Sequence, residues 1–263
     1  MPTARQIEQA MYGWAPHELA HDWDNVGLLM GDPEKEIHRV LVALDITEDV
    51  VEEALSEGAE LIVAHHPLMN CKWLPVQTLR EDTPQGRLLR KMVREDLCAI
   101  CMHTNLDAAE GGVNDALLEA LKLVEPGPLS EEGVGRTGQL PGEPADLAGF
   151  AAHVANALGC NGLRYADAGR PVFRGAVGGG ACSSLIGNAI DAGCDTFVTA
   201  DLSYHNFLDA RAMGINLIDA GHFPTEDVVC PVVVDALQEW FPDLTVKKST
   251  SHREVIQYYT KGD

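Results

Sequence analysis

"LIVAHHPLMN", residues 61–70, is the stretch from which the chain is read. Four apolar residues run into His65 and His66, and Pro67 then removes a backbone donor. A short continuous apolar run ended by a breaker is the pattern of a strand buried on both faces. Just before it, "TEDVVEEALSEG" (47–58) carries helix signals: Thr47 as cap, acids in the first turn, Gly58 as stop. Before that, "RVLVALDI" (39–46) is a second apolar strand. Downstream, "TPQGRLLRKMVRED" (83–96) reads as a helix, "LCAICMHT" (97–104) as a third strand and "NDALLEALKL" (114–123) as a helix. Residues 4–12 form a short amphipathic helix at the start. Strands alternating with helices predict βαβ units, hence an α/β fold with mainly parallel sheets covered by helices.

The stretch 124–146, rich in Gly, Pro and acids, is the expected domain boundary. Beyond it come helix 147–158, strand 172–177, a glycine-rich turn, helix 183–192, strand 196–200, helix 204–212, strand 215–219, helix 225–240 and a strand near 253–259. The halves echo each other. "EALSEGAELIVAHH" (53–66) and "NAIDAGCDTFVTAD" (188–201) each hold a helix ending in Gly, an acid two residues on, and an apolar strand ending in polar side chains. Duplication of one unit is the sharper explanation, although βα units are stereotyped enough to resemble one another by chance.

Composition narrows the function. The chain has 263 residues, 46% hydrophobic, enough for one large domain or two ordinary ones. Acids outnumber bases by 40 to 19, for a net charge of −21, which repels a phosphate backbone and argues against nucleic-acid binding. No stretch approaches the ~20 apolar residues of a membrane span, and the start lacks a signal-peptide core, so no membrane role and a cytoplasmic location are expected. The seven cysteines, Cys71, Cys98, Cys101, Cys160, Cys182, Cys194 and Cys230, are odd in number and sit mostly in apolar runs, as reduced thiols do. Cys98 and Cys101 form a CxxC, but no second pair completes a zinc site, and both are expected inside a strand.

In parallel α/β sheets, ligands gather outside the carboxyl ends of the strands. Those ends hold His65 and His66, then His103, Asn105, Asp107 and Glu110, then Asp201 and His205, then His222 and Glu226. A lone histidine there is usually an ordinary hydrogen-bonded residue. An accumulation of imidazoles and carboxylates, without cysteine, is a nitrogen and oxygen ligand set suited to zinc, iron, manganese, nickel or cobalt. Adjacent strand residues point to opposite faces, so His65 and His66 serve one cation poorly while the strand stays regular. Ending it at Pro67 lets them reach two cations side by side. In "HFPTE", Pro224 suits a first helical turn, and His222 and Glu226, four residues apart, can converge. A carboxylate can bridge two cations, so Glu226 or Asp107 would be the bridge. His205 and His103 are candidates for proton transfer, and Asp24 and Asn25 for orienting a ligating histidine or making an Asx turn. "VGGGACSS" (177–184) follows a strand and opens a helix, which makes Gly179, Gly180 and Ser183 candidates for substrate contact through backbone amides. It lacks the Lys of a P-loop.

"DNVGLLMGD" (24–32), "AHHPLMN" (64–70), "HTNLDAAEGGVND" (103–115), "GGGACSSL" (178–185), "TADLSYH" (199–205) and "DAGHFPTE" (219–226), in this order, resemble the Nif-three-like family. Its members often carry the name GTP cyclohydrolase type-two homologue. The resemblance runs from about residue 5 to the C-terminal region. It implies a dinuclear centre of two divalent cations: His66 and Asp107 on one, His65 and His222 on the other, Glu226 bridging. It also implies a ring-shaped homohexamer, and a metal-binding domain of residues 1–125 plus 215–263 with a smaller α/β domain of 126–214. Cys182 and Ala200 stand where relatives often have a small polar residue and Gly. The expected activity is metal-dependent hydrolysis of a small molecule: a GTP-like nucleotide, a phosphoester or a cyclic amide. The alternative is a non-catalytic metal-binding, metal-delivery or adaptor protein.

Overall fold

The computed structural model describes residues 1–70, 75–76 and 78–259; Cys71 lies outside them. The chain divides into two compact units, Met1–Glu110 with Cys230–Arg253, and Gly111–Val229 with Glu254–Asp263. Unit 1 begins with α1 (Ala4–Trp14), β1 (Gly27–Met30), β2 (Arg39–Ala43), α2 (Glu48–Glu57), β3 (Leu61–Ala64), α3 (Pro84–Arg94), β4 (Cys98–Cys101) and α4 (Thr104–Ala108). Unit 2 holds α5 (Val113–Ala120), β5 (Val124–Pro128), β6 (Arg136–Gln139), α6 (Leu147–Leu158), β7 (Arg164–Ala166), β8 (Arg174–Val177), α7 (Ile186–Asp191), β9 (Thr196–Thr199), α8 (Tyr204–Met213), β10 (Asn216–Asp219) and α9 (His222–Glu226). The chain then returns to unit 1 through α10 (Val229–Trp240) and β11 (Thr245–Lys248).

Sheet 1 has the order β1-β4-β3-β2-β11, all parallel except β1. Its alternate residues Leu41, Ala43, Ile62, Ala64, Ala99 and Cys101 pack under Val50, Val51 and Ala54 of α2 and Leu89 and Met92 of α3. The central strands are buried on both faces, which is why they read as unbroken apolar runs. The helix signals act as expected. Thr47 Oγ1 accepts from Val50 N, and Gly58 closes α2 in the left-handed conformation. Thr83 caps α3 with Pro84 behind it.

Sheet 2 has the order β5-β6-β8-β9-β10-β7. Its core β8-β9-β10 is parallel, and β5, β6 and β7 add antiparallel pairings. Val177, Val198 and Ile218 face α5 and α6. Ala176, Phe197 and Leu217 face α7 and α8. Helices therefore cover both faces of this sheet.

Several expectations change. The stretch 124–146 is no linker: it holds β5 and β6, a glycine-bearing antiparallel pair whose Gly138 lies so close to Leu123 and Leu118 that no Cβ fits. The compact units part at 110/111, 229/230 and 253/254 rather than at 125/126 and 214/215. The reason is that α5 packs on sheet 2, and β10 is paired on both sides within it. The helix expected over 225–240 is two, α9 and α10. The final strand is β11 at 245–248; residues 253–259 are irregular.

Candidate metal centre

His65 and His66 continue the backbone ladder past the end of β3, donating to Ala43 O and Leu44 O. Their rings then take separate anchors. His65, 2% exposed, places Nδ1 2.8 Å from the Met102 carbonyl. A carbonyl only accepts, so Nδ1 is the donor and Nε2 is left with the lone pair. That Nε2 lies 3.6 Å from Asp107 Oδ1. His66 Nδ1 lies 2.7 Å from Asp45 Oδ1. Asp45 also faces His252 Nε2 at 3.3 Å. Burial works to raise the Asp45 pKa, but His252 and His66 hold it well below the usual carboxylate range.

His103 caps α4 and is 6% exposed. Its Nδ1 sits 2.9 Å from both oxygens of Asp24. Asp24 also accepts from Thr104 N and Oγ1, and Asn105 Nδ2, fully buried, ties the turn to Ala15 O. Burial opposes the Asp24 charge, yet these partners keep its pKa well below normal. The rings of His65, His66 and His103 stand 5.0 to 5.5 Å apart between centroids. One nitrogen from each lies within 4.8 Å of the others.

In unit 2, β10 leads through Gly221 (φ 89°) into α9. His222 Nδ1 is 2.7 Å from Asp201 Oδ2, and Nε2 is 3.0 Å from Glu226 Oε2. Burial works against the His222 charge, but Asp201 and Glu226 outweigh it and hold its pKa up at about 11. Asp201 takes a left-handed φ of 55°, a conformation that Asp tolerates better than most residues other than Gly. The glycine loop packs against the carboxylate. A Cβ on Gly180 would meet Glu226 Oε1 at 2.1 Å and His222 Nε2 at 3.1 Å. The Gly179 and Gly180 amides donate to Asn114 Oδ1 and Thr225 Oγ1. They are spent within the protein, so a phosphate cradle from these two amides is not what the loop offers; it is a shim fitted to Glu226. Ser183 opens a short 3-10 turn.

All four histidines, His65, His66, His103 and His222, thus fix Nδ1 on an oxygen, and Nε2 of His65 and of His222 is directed at a carboxylate, Asp107 or Glu226. That is how ligating imidazoles are oriented in metalloproteins. His205 lies elsewhere: it is exposed on α8 with its ring edge-on to Tyr204, and among the described residues no group of three potential ligands includes it. Sequence reading anticipated Asp24 as an orienting group but missed Asp45, Asp201 as the anchor of His222, and His252. Asp45 carried a signal, a polar end on an apolar strand; His252 carried none.

A family model for Duf34/NIF3 (NGG1p interacting factor 3) matches residues 2–254. The chain belongs to the Duf34/NIF3 family. It is 38% identical over 232 residues to a Clostridium perfringens protein named GTP cyclohydrolase 1 type 2 homolog, covering 86% of this chain and 87% of that one. A Streptomyces coelicolor protein of the same name is 36% identical over 251 residues, covering 91% and 87%. Among solved structures, a Staphylococcus aureus hypothetical protein aligns with a TM-score of 0.91 at 28% identity, covering 98% of this chain and 99% of that one. Among the described residues no helix is long and apolar enough to cross a membrane.

Proposed function

We propose that this member of the family is a divalent-metal-dependent hydrolase acting on a small molecule. The observation that carries the reading is the common orientation of His65, His66, His103 and His222, each with Nδ1 donated to a fixed oxygen. A histidine held only for structure needs no such uniformity. The ligand set proposed is His65, His66, Asp107, His222 and Glu226, with His66 and Asp107 on one cation, His65 and His222 on a second, and Glu226 bridging. This assignment follows the family resemblance, and the all nitrogen and oxygen donor set suits zinc, iron, manganese, nickel or cobalt. Bound cations of this kind supply Lewis acidity and a water of lowered pKa. The chain's own contribution is to fix each imidazole through Nδ1 and to keep Glu226 against the glycine loop.

The substrate classes tested are GTP-like nucleotides, phosphoesters and cyclic amides. Metal-loaded protein is expected to hydrolyse a member of this panel, and His65→Ala and Glu226→Ala to reduce turnover at least about 100-fold. Stoichiometric metal with no turnover on the whole panel would favour metal delivery instead, since the same ligands serve both. The proposal includes a homohexamer, which light scattering of the purified protein tests.

A further inference from the structure

The two units repeat one topology. In unit 1, β1, β2, α2, β3, α3 and β4 follow in sequence and lie in the sheet as β1-β4-β3-β2; in unit 2, β7, β8, α7, β9, α8 and β10 follow in sequence and lie as β7-β10-β9-β8. In both, the first strand pairs antiparallel with the last, and the other three are parallel. Each last strand leads to a histidine and a carboxylate four residues apart, "HTNLD" (103–107) and "HFPTE" (222–226). One pair of positions breaks the likeness. Where β1 meets the end of β4, Gly27 stands opposite Cys101; where β7 meets the end of β10, Arg164 stands opposite Asp219. An ion pair takes the place of Gly and Cys, so the shared topology does not itself require one.

The pair holds a guanidinium in one place. Asp219, 4% exposed, accepts from the Leu202 and Gly221 amides, which ties the turn after β9 to the turn before His222. Arg164 Nη2 donates to Asp219 Oδ2 and to the Leu202 carbonyl, and the guanidinium carbon lies 5.3 Å from the centre of the Phe207 ring. One nitrogen makes both bonds. The Nε and Nη1 donors have no hydrogen-bond partner among the described residues, and 54% of the side chain is exposed. Leu202 follows Asp201, the anchor of His222. The His222 hydrogen bond, and more weakly Arg164, hold the Asp201 carboxyl below the usual carboxylate range, so the guanidinium is electrically within reach of that pair.

We propose that Arg164 is an anion-recognition residue at the carboxyl end of sheet 2, and that it takes an oxyanion group, phosphate or carboxylate, carried by the substrate. The carboxyl ends of parallel strands are where ligands bind, and Arg164 reaches that end through Asp219 and Leu202. In a chain of net charge −21, an anion nearing Asp201 and Glu226 is repelled, and a fixed cation beside them offsets this. Arginine suits the task because its charge is permanent and its donors are planar and fixed. Held already by Asp219, Leu202 and Phe207, it loses little freedom on taking a ligand. The assignment rests on the small-molecule hydrolase reading for what the site does, and it narrows that reading: nucleotides and phosphoesters fit, neutral cyclic amides do not.

The test is titration of the full chain, stripped with a chelator, with inorganic phosphate and separately with acetate, followed by calorimetry and by the rise in melting temperature. Stripping removes any anion binding that a metal would add. Arg164→Met is expected to weaken the bound anion about tenfold or more, and Arg164→Lys to recover part of the loss as a point charge. Circular dichroism at the wild-type value separates loss of the donor from loss of the fold. Should Arg164→Met misfold, Arg164→Lys and Phe207→Leu carry the test, each with an expected loss of affinity of about threefold or more. Dependence on Arg164 with phosphate assigns a phosphate group; dependence with acetate alone assigns a carboxylate. A wild type that binds neither anion, or equal affinity in the wild type and the folded variants, would overturn the proposal. Phosphate binding that depends on Arg164, with no turnover on the substrate panel, would sink the hydrolase reading and leave the anion site. Turnover by the wild type, with anion affinity indifferent to Arg164, would do the reverse.

Discussion

His222 donates through Nδ1 to Asp201 and meets Glu226 through Nε2, and this pair of carboxylates keeps it charged in the cation-free protein. Its folded pKa, about 11, lies above the ordinary 6.5. Its stabilising contribution is thus complete below pH 6.5 and is lost as pH rises through about 11. Thermal melts of chelator-treated protein are expected to fall more steeply above neutral pH for the wild type than for His222→Gln; parallel slopes would refute the assignment. Cation binding must displace this proton, so affinity is expected to rise about tenfold per pH unit through neutrality, checked by proton release in calorimetry. Gly180 offers a second test. At φ 64°, with Glu226 Oε1 where its Cβ would go, Gly180→Ala is expected to cost about 2–4 kcal/mol in urea melts and to lower metal content. The strand-end histidines were legible because the carboxyl ends of parallel strands are where such groups collect. Of their Nδ1 partners only Asp24 was anticipated, since Asp45 and the Met102 carbonyl reach them through tertiary packing.

At the level of elements, α2 does more than cover sheet 1. Glu53, on its outer side, accepts from Ser249 Oγ, Thr250 N and Oγ1, and Ser251 N and Oγ. This ties down the segment that ends in His252, which faces the Asp45 carboxylate behind His66. Partial burial pushes the Glu53 pKa up, but these bonds bring it to about 2, below the ordinary 4.5. The stabilisation is therefore full above pH 4.5 and disappears as pH falls through about 2. Because Glu53 is partly exposed, Glu53→Ala is expected to cost only about 1 kcal/mol at neutral pH in denaturant melts, with the difference vanishing in acid. Core strands and capped helices were readable because burial on both faces and Thr47, Gly58 and Thr83 leave local marks. β1, β5, β6, β7 and β11 were not. They are short strands at the sheet margins or next to them, such as "TVKK" and "RTGQ", whose identity comes from the neighbours they pair with.

For the molecule as a whole, cation binding to the folded state alone raises apparent stability by mass action. Saturating Zn²⁺ or Co²⁺ at about a hundred times its dissociation constant is expected to add about 2.7 kcal/mol, several degrees in melting temperature, and chelation to remove it. A melting point indifferent to both would count against any native site. The duplicated topology was half legible: the echo between 53–66 and 188–201 marks α2–β3 and α7–β9, but the matching of "HTNLD" with "HFPTE" needed the strand order to be known. The outermost strands of the two sheets share another property. β11 carries Lys247 and Lys248, β1 has a register shift between Leu28 and Met30, β5 has Pro126 and Pro128 with its own shift, and β7 is only three residues long. Each is a device that discourages a strand from another molecule from adding on. A duplicated unit doubles the number of such vulnerable margins, and each of the four carries one of these guards.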